Sequence, residues 1–244
     1  MIDEQRDWNK KTFKQINDTL IKYPYLYSLF GPVKKMKKFM IPTYKQEPKL
    51  AEEYTIFGIL NSPNTAVWDN FLKRLDYLSE KLNKLYSNDV LKEGISNSPF
   101  SFLSELEFAE YCEKKGFKIL EVCPKLQNGK KLDFKVRFED FTALVEVITP
   151  RMKLEMVKTK IGVFSITGEL ENNLLSEFKE HKIEENNCQE KIIFVIDGNH
   201  SAIDSINMIT SLKAFVEKNP SKAKFLLGVF LKRGKEYIYF KNLV

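Results

Sequence analysis

The sequence contains few of the residues that build disulfide-stabilised folds or histidine-rich sites. Its 244 residues include three cysteines, Cys112, Cys123 and Cys188, and two histidines, His181 and His200. Cysteines this few and this scattered cannot form a disulfide framework or a zinc site, and two histidines cannot build a histidine-rich metal centre. This cysteine usage predicts an intracellular, reducing compartment, and we expect a cytoplasmic protein.

Several common sequence signatures are also missing. The charged segment from Met1 to Asp7 does not resemble a signal peptide. No run approaches the roughly 20 apolar residues that a membrane span needs, so we expect no membrane partner. The chain contains no phosphate-binding loop motif, no dinucleotide-binding glycine motif, no serine-hydrolase elbow and no His-Glu-x-x-His. The corresponding enzyme classes are therefore excluded from our expectations.

The composition is ordinary for a globular protein and mildly basic. Hydrophobic residues make up 43% of the chain and charged residues 30%, which is enough for a sizeable core. The net charge of +6 permits nucleic acid as a partner without requiring it. The densest basic run is a candidate phosphate-binding stripe, and the alternative is a solvated helix face. That run consists of Lys34, Lys35, Lys37 and Lys38.

Two segments of different character predict two domains, residues 1–95 and residues 100–244. Apolar residues recur at helical spacing in the first segment, which predicts a mostly helical N-terminal domain. The clearest series is Leu72, Leu75, Leu78, Leu82 and Leu85. A cluster of turn-forming residues at 96–99 marks the boundary between the two domains.

The second segment predicts an α/β fold. Its pattern reads as a helix, three strands, a helix, a strand, a helix and a terminal hairpin. The expected helices are 101–115, 168–185 and 203–217, and the expected strands are 117–123, 132–138, 143–148, 191–196, 225–231 and 237–240. The turn formed by Asp197, Gly198 and Asn199 is expected to close the fourth strand.

The candidate chemistry lies in the second and third of these strands. Residues 139–140 are polar and are expected to form the tip of a tight hairpin. Positions that sum to 279 then face each other, so Asp133 falls opposite Glu146, on the face away from the core-facing residues and beside Leu144 and Ile148, which suggest partial burial. Two opposed carboxylates repel, and a divalent cation such as Mg²⁺ is the simplest stabilising partner. The alternative is a pair of solvated acids matched with Lys135 and Arg137.

Asp133, followed by Glu146 within the segment Leu144–Ile148, resembles the core of the PD-(D/E)XK nuclease superfamily, which has the restriction-endonuclease-like fold. That family has an αβββαβ core, which matches the order predicted for residues 100–244. Its first core helix often carries a glutamate, and Glu105 stands in the matching place. The resemblance implies a metal-dependent hydrolase, a phosphodiesterase that acts on DNA with Mg²⁺ or Mn²⁺. It also implies that Asp133 and Glu146 hold the metal. Whether the chain forms a homodimer stays open.

One departure from the family pattern matters for activity. The family motif ends in Glu-x-Lys, whereas this chain has Ile148 in the place of the lysine. In the family that lysine orients water or stabilises charge on the phosphate. We expect either a relocated cation or an inactive site. Lys131 is the first choice because the hairpin register places it opposite Ile148, and Lys182 on the next helix is the second.

Two other functions stay open at this point. The chain could be a nuclease-fold protein without activity that serves as a nucleic-acid-binding or protein-interaction module. It could also be a structural protein whose helical domain mediates assembly. The two acids favour the enzyme, whereas the missing lysine and the modest charge favour the inactive module.

Overall fold

The structure of the chain is a computed structural model. It describes residues 12–32, 55–61, 65–149, 174–179, 191–198 and 205–241. The chain divides into two compact units, Met1–Glu110 and Tyr111–Val244. This division falls inside a helix, whereas the sequence predicted a boundary at residues 96–99.

The described part of the first unit is helical, in agreement with the sequence. Its helices are α1 (12–20), α2 (Pro24–Phe30), α3 (Ile56–Leu60), α4 (Thr65–Lys81), α5 (Asn88–Asn97) and the greater part of α6 (Pro99–Lys115). Ser87 caps α5, because its side chain accepts a hydrogen bond from the backbone N–H of Val90. Among the helices in the described ranges, none is long and apolar enough to cross a membrane.

The leucine series of the first segment packs as predicted, except at its end. Leu72, Leu75 and Leu78 are fully buried, and Leu82 is nearly so. Leu85 is 40% exposed, which contradicts the expectation that it continues the apolar stripe. The reason is that α4 ends at Lys81, so the helical period no longer determines which way Leu85 points.

Helix α2 depends on an acid from another helix. Its own N-cap residue, Tyr23, makes no side-chain capping bond. Asp76 of α4 replaces that cap, because its Oδ1 accepts the N–H of Leu26 at 2.8 Å. Burial is the largest influence on this carboxyl and raises its pKa, although the backbone donors oppose the shift. A half-buried acid therefore joins α2 to α4.

The second unit contains a mixed six-stranded sheet, so its class is α/β. Its elements are β1 (Lys118–Val122), β2 (Phe134–Arg137), β3 (Thr142–Ile148), α7 (174–179), β4 (Ile192–Asp197), α8 (Ser205–Lys218), α9 (Pro220–Ala223), β5 (Leu226–Arg233) and β6 (Glu236–Lys241). The strands lie in chain order across the sheet. Strands β3, β4 and β5 are parallel, and the other neighbouring pairs are antiparallel.

The end of α6 shows why the strands begin where the sequence predicted. Gly116 has a φ of 74°, which is the left-handed conformation that favours glycine. The N–H of Gly116 donates to the carbonyl of Glu113, and that of Phe117 donates to the carbonyl of Cys112. This pair of bonds is a Schellman motif, which ends the helix and turns the chain into β1.

Both faces of the sheet carry apolar side chains. One face packs in a cluster that includes residues of α7 and α8, such as Phe178 and Phe215. The sheet contributes Leu144, Ile148, Ile192, Phe194, Ile196, Leu226, Val229 and Leu231 to that cluster. The other face carries an aromatic group in which Phe230 packs against Tyr111, Phe138 and Tyr239. We call the first of these the helix-covered face.

Candidate metal centre

The hairpin of β2 and β3 has the register that the sequence predicted. The four pairs Phe134–Val145, Lys135–Leu144, Val136–Ala143 and Arg137–Thr142 each sum to 279. The N–H of Phe138 donates to the carbonyl of Phe141 at 2.8 Å, which closes a tight turn with residues 139–140 at its tip. The polarity of those two residues was therefore sufficient to place the turn.

Regular pairing ends at Phe134, one residue short of Asp133. The N–H of Asp133 donates to the carbonyl of Val145, which is already the partner of Phe134. Two successive residues of one strand thus meet one residue of the other, as in a β-bulge. The expectation that Asp133 lies directly opposite Glu146 is wrong in this detail, because the bulge shifts the register at that residue.

The carboxylate of Asp133 is anchored to the backbone of β3. Its Oδ2 accepts the N–H of Val147 at 2.7 Å, which is the short distance typical of a charge-assisted hydrogen bond. Val147 follows Glu146 directly, and five covalent bonds of roughly 1.5 Å join its nitrogen to the carboxyl carbon of Glu146. The two carboxyl groups therefore lie within roughly 9 Å of each other.

Glu146 lies on the helix-covered face and is 9% exposed. Alternate residues of a strand share a face, and its neighbours at two positions, Leu144 and Ile148, belong to the apolar cluster. In the parallel pairing with β4 its partner is Phe194, which is fully buried. The carboxylate thus stands among apolar side chains, where its charge is costly unless it is compensated.

Ile148 occupies the position where the resemblance expects a lysine. It is 4% exposed and packs in the cluster below α7 and α8. A lysine at this position would place an ammonium group among leucine and phenylalanine side chains. The replacement is therefore consistent with a continuous core, and no cation can act from this position.

The structure does not support the hairpin register that placed Lys131 opposite Ile148. Lys131 forms a β-bridge with Lys125 and is exposed, because the chain has already left the β2–β3 ladder at the bulge. The role of Lys131 as a catalytic cation stays a prediction. Glu105 lies on α6 in the first unit and is half-buried, and its role also stays a prediction. Lys182 and the basic run from Lys34 to Lys38 lie outside the described residues.

Two carboxylates are a sufficient protein contribution for one hard divalent cation. Mg²⁺ is commonly held by one or two carboxylates and completes its shell with water and phosphate oxygens. Within the part of the chain that the structure describes, no group of three or more His, Cys, Asp or Glu side chains converges on one point. Asp133 and Glu146 are oxygen donors of the kind that Mg²⁺ or Mn²⁺ takes from a protein, so the two residues fit such a cation.

The cysteines of this unit differ from each other. Cys112 is fully buried, as the sequence predicted, and burial raises the pKa of its thiol to about 12. A thiol with so high a pKa is protonated at neutral pH and is a poor nucleophile. Cys123 is only half-buried and has a positive φ of 54° where the chain leaves β1, so it does not match the expected buried strand residue.

The sequence missed a buried ion pair in the same sheet. The Nζ of Lys232 donates to Oδ2 of Asp197 at 2.6 Å, and the two residues are 2% and 0% exposed. Asp197 was expected in a turn, but β4 includes it and pairs it with Lys232 of β5. A signal for this pair was present, since Lys232 alternates with the apolar residue Phe230 along a largely buried strand.

Comparisons with known proteins add little to this geometry. No family model matches the chain, and no curated protein matches it. A solved structure described as Pyrococcus furiosus SfsA in complex with Ca²⁺ matches with 12% sequence identity and a TM-score of 0.25. The match covers 57% of this chain and 59% of the SfsA chain, which is less than two thirds of the latter. So weak a likeness identifies neither a fold family nor a site, and the class established here is a mixed α/β protein.

Proposed function

We propose that the chain is a divalent-metal-dependent phosphodiesterase that acts on nucleic acid, with DNA as its first expected substrate, and that its second unit is a PD-(D/E)XK nuclease-like domain. The observation that carries this proposal is the anchoring of the Asp133 carboxylate beside Glu146 by the Val147 N–H. Two acids held on neighbouring segments of one sheet are suited to bind a metal together with a phosphate.

Each of the two acids has a distinct part in this mechanism. Asp133 keeps its orientation through the bond to Val147, so it offers a fixed carboxylate. Glu146 has more rotatable bonds and can adjust to a cation that Asp133 positions. When bound, Mg²⁺ or Mn²⁺ lowers the pKa of a water molecule and stabilises negative charge on the phosphate.

The reaction itself is a hydrolysis. A water oxygen forms a bond to phosphorus, and the bond between phosphorus and the leaving oxygen breaks. One proton of the water passes to the leaving oxygen, which gives a phosphate monoester and an alcohol. The chain's own contribution is to hold the two acids and to limit water on the helix-covered face, where Glu146 is nearly buried.

The test is a cleavage assay on plasmid DNA and on labelled single strands, with Mg²⁺, Mn²⁺ or a chelator present. We expect cleavage to require the metal and to fall to background in Glu146→Gln and Asp133→Asn. Asp133→Asn keeps an oxygen that can accept the Val147 N–H, so it removes charge with little change in shape. Glu139→Gln, an exposed acid at the hairpin tip, is the matched control and should cleave like the parent.

A second function is favoured by the burial of Ile148. Because no cation can act from that position, the domain could bind nucleic acid or a protein without cutting. The same assay distinguishes the two functions. An inactive parent that still binds DNA and whose Mn²⁺ affinity is unaffected by Glu146→Gln would support this second function and overturn the first.

The basic run of the first segment is proposed to strengthen DNA binding. Lys34, Lys35, Lys37 and Lys38 would neutralise phosphates and release counterions, so affinity should fall steeply with salt. A variant with all four changed to glutamine should bind more weakly and show a shallower dependence of log Kd on log salt. An unchanged slope would show that these lysines do not contact phosphate.

A further inference from the structure

We propose that Lys135 supplies the positive charge that faces the phosphodiester at the site of Asp133 and Glu146. This inference rests on the proposed function, because it concerns the same site. The juxtaposition that carries it is a half-buried lysine on β2 that shares the helix-covered face with Glu146, one residue pair away across the hairpin.

The hairpin register fixes the side of the sheet on which Lys135 lies. Its direct partner is Leu144 of β3, and directly opposed residues project from the same face. Leu144 belongs to the cluster on the helix-covered face, and Glu146 alternates with it. Lys135 is therefore the diagonal neighbour of Glu146, at a typical backbone separation of roughly 7–8 Å, which long side chains can span.

Other cations of the second unit are less suitable. Lys232 lies on the opposite face, because it alternates with Leu231 of the cluster, and it is engaged by Asp197. Arg137 is on the same face as Lys135 but is one further pair from Glu146 and exposed. The Nζ of Lys191 donates to the carbonyl of Lys224 at 2.6 Å. Lys135 combines the correct face with the shorter separation.

One acid competes for Lys135. Glu121 is its partner in the antiparallel pairing of β1 with β2, so a carboxylate faces it from the side away from Glu146. Glu121 is exposed, and exposed ion pairs contribute only about 0–1 kcal/mol, so an ion pair with this neighbour would cost little to exchange for a phosphate contact. If Lys135 serves the phosphate, removal of Glu121 should not reduce cleavage.

The experiment compares Lys135→Gln, Lys135→Arg, Arg137→Gln and Glu121→Gln in the full chain, with two readouts. In metal-dependent cleavage, Lys135→Gln should lose about 100-fold to 1,000-fold, the loss typical of removing one donor to a developing oxyanion. Lys135→Arg keeps the charge and should recover most of the rate. Arg137→Gln and Glu121→Gln should stay within about twofold of the parent, which is the control for a general effect of surface charge.

The second readout is the affinity for Mn²⁺ alone, measured by paramagnetic resonance without DNA. Removing a positive charge about 7 Å from a divalent cation should tighten binding by roughly tenfold even in a water-like dielectric. A lysine with a merely structural role would not combine tighter Mn²⁺ binding with slower cleavage. Folding of each variant is checked by its urea unfolding midpoint.

The outcomes separate the two proposals. Parent-like cleavage by Lys135→Gln, in a parent whose activity depends on metal and on Glu146, overturns the role of Lys135 and leaves the proposed function intact. A parent that neither cleaves nor binds Mn²⁺ overturns both. Slower cleavage together with tighter Mn²⁺ binding supports the role of Lys135.

Discussion

Two acidic regions of one sheet differ in how the negative charge of their carboxylates is compensated. Asp197 on β4 is fully buried and holds its own lysine, Lys232, at 2.6 Å. Asp133 is anchored by the backbone N–H of Val147. Glu146 lies among apolar side chains on the helix-covered face, opposite to the face of Asp197. Asp197 is matched by a cation within the fold, whereas Asp133 and Glu146 are the two acids that we propose hold a metal. Burial of a charged group alone therefore does not mark a functional site, because a buried acid such as Asp197 can be compensated within the fold.

The largest effect should come from breaking the matched pair. Lys232→Met leaves the Asp197 carboxylate buried without its cation, so the free energy of unfolding should fall by about 3–5 kcal/mol. Urea denaturation measures this loss. The control is Lys235→Met in the exposed turn between β5 and β6, which should change stability by less than about 0.5 kcal/mol.

The double variant Asp197→Leu with Lys232→Met sharpens the same comparison. Replacing both charges by apolar side chains of similar size is often neutral or stabilising by about 1–4 kcal/mol, so most of the lost stability should return. A loss below about 1 kcal/mol in Lys232→Met would contradict the view that the pair is a matched, buried unit.

The anchor at Asp133 should give the next largest effect. Asp133→Ala removes the acceptor of the Val147 N–H and should lower the free energy of unfolding by about 1.5–3 kcal/mol. Asp133→Asn keeps an acceptor and should lose less than half of that amount. Equal losses in the two variants would show that charge, rather than the hydrogen bond to β3, is what stabilises this segment.

Glu146 should behave in the opposite way to Asp197. In metal-free buffer, Glu146→Gln relieves repulsion from Asp133 and should raise the free energy of unfolding by about 0.2–1 kcal/mol. Addition of Mn²⁺ at about 100 times its Kd should then stabilise the parent by about 2.7 kcal/mol, but should have little effect on the variant. Destabilisation by Glu146→Gln without metal would place this acid in the same class as Asp197.

The smallest effect concerns Asp76, a half-buried acid of the first unit that accepts a hydrogen bond from a backbone N–H. Burial raises the pKa of Asp76 above its ordinary value of 3.8, so the folded protein favours the protonated form. This contribution to stability is fully present below pH 3.8 and is lost as pH rises through the folded pKa. Relative to Asp76→Asn, the parent should therefore lose stability between pH 3.8 and 7. Urea midpoints of both proteins across that range measure the change, and a parent that gains stability instead would reverse the assigned sign.

The strands and their hairpin were predictable because their signals are local. Alternation of apolar residues defined β2 and β3, and two polar residues fixed the turn, so four observed pairs match the predicted sum. The helix end at Gly116 was equally local, since a left-handed residue is required there. Leu85 was not predictable, because the leucine period continues in the sequence past the end of α4.

The site was predictable only in part. The nearness of Asp133 to Glu146 follows from the hairpin, but the bulge that turns the Asp133 carboxylate to Val147 depends on backbone bonding that alternation does not encode. The register used to place Lys131 opposite Ile148 was not predictable for the same reason, since a shift of one residue changes every position beyond it, and the role of Lys131 stays a prediction.

By itself, the sequence determined the class of the second unit, the order of its strands along the chain and the two acids on one hairpin. Those features depend on periods of two and 3.6 residues and on turn chemistry, all of which act over a few positions. The tertiary structure alone decided that Asp197 meets Lys232 and that Ile148 completes the core below α7 and α8. These contacts are long-range. The parallel pairing of β4 with β5 brings together residues 35 positions apart, and no local sequence pattern specifies such a contact.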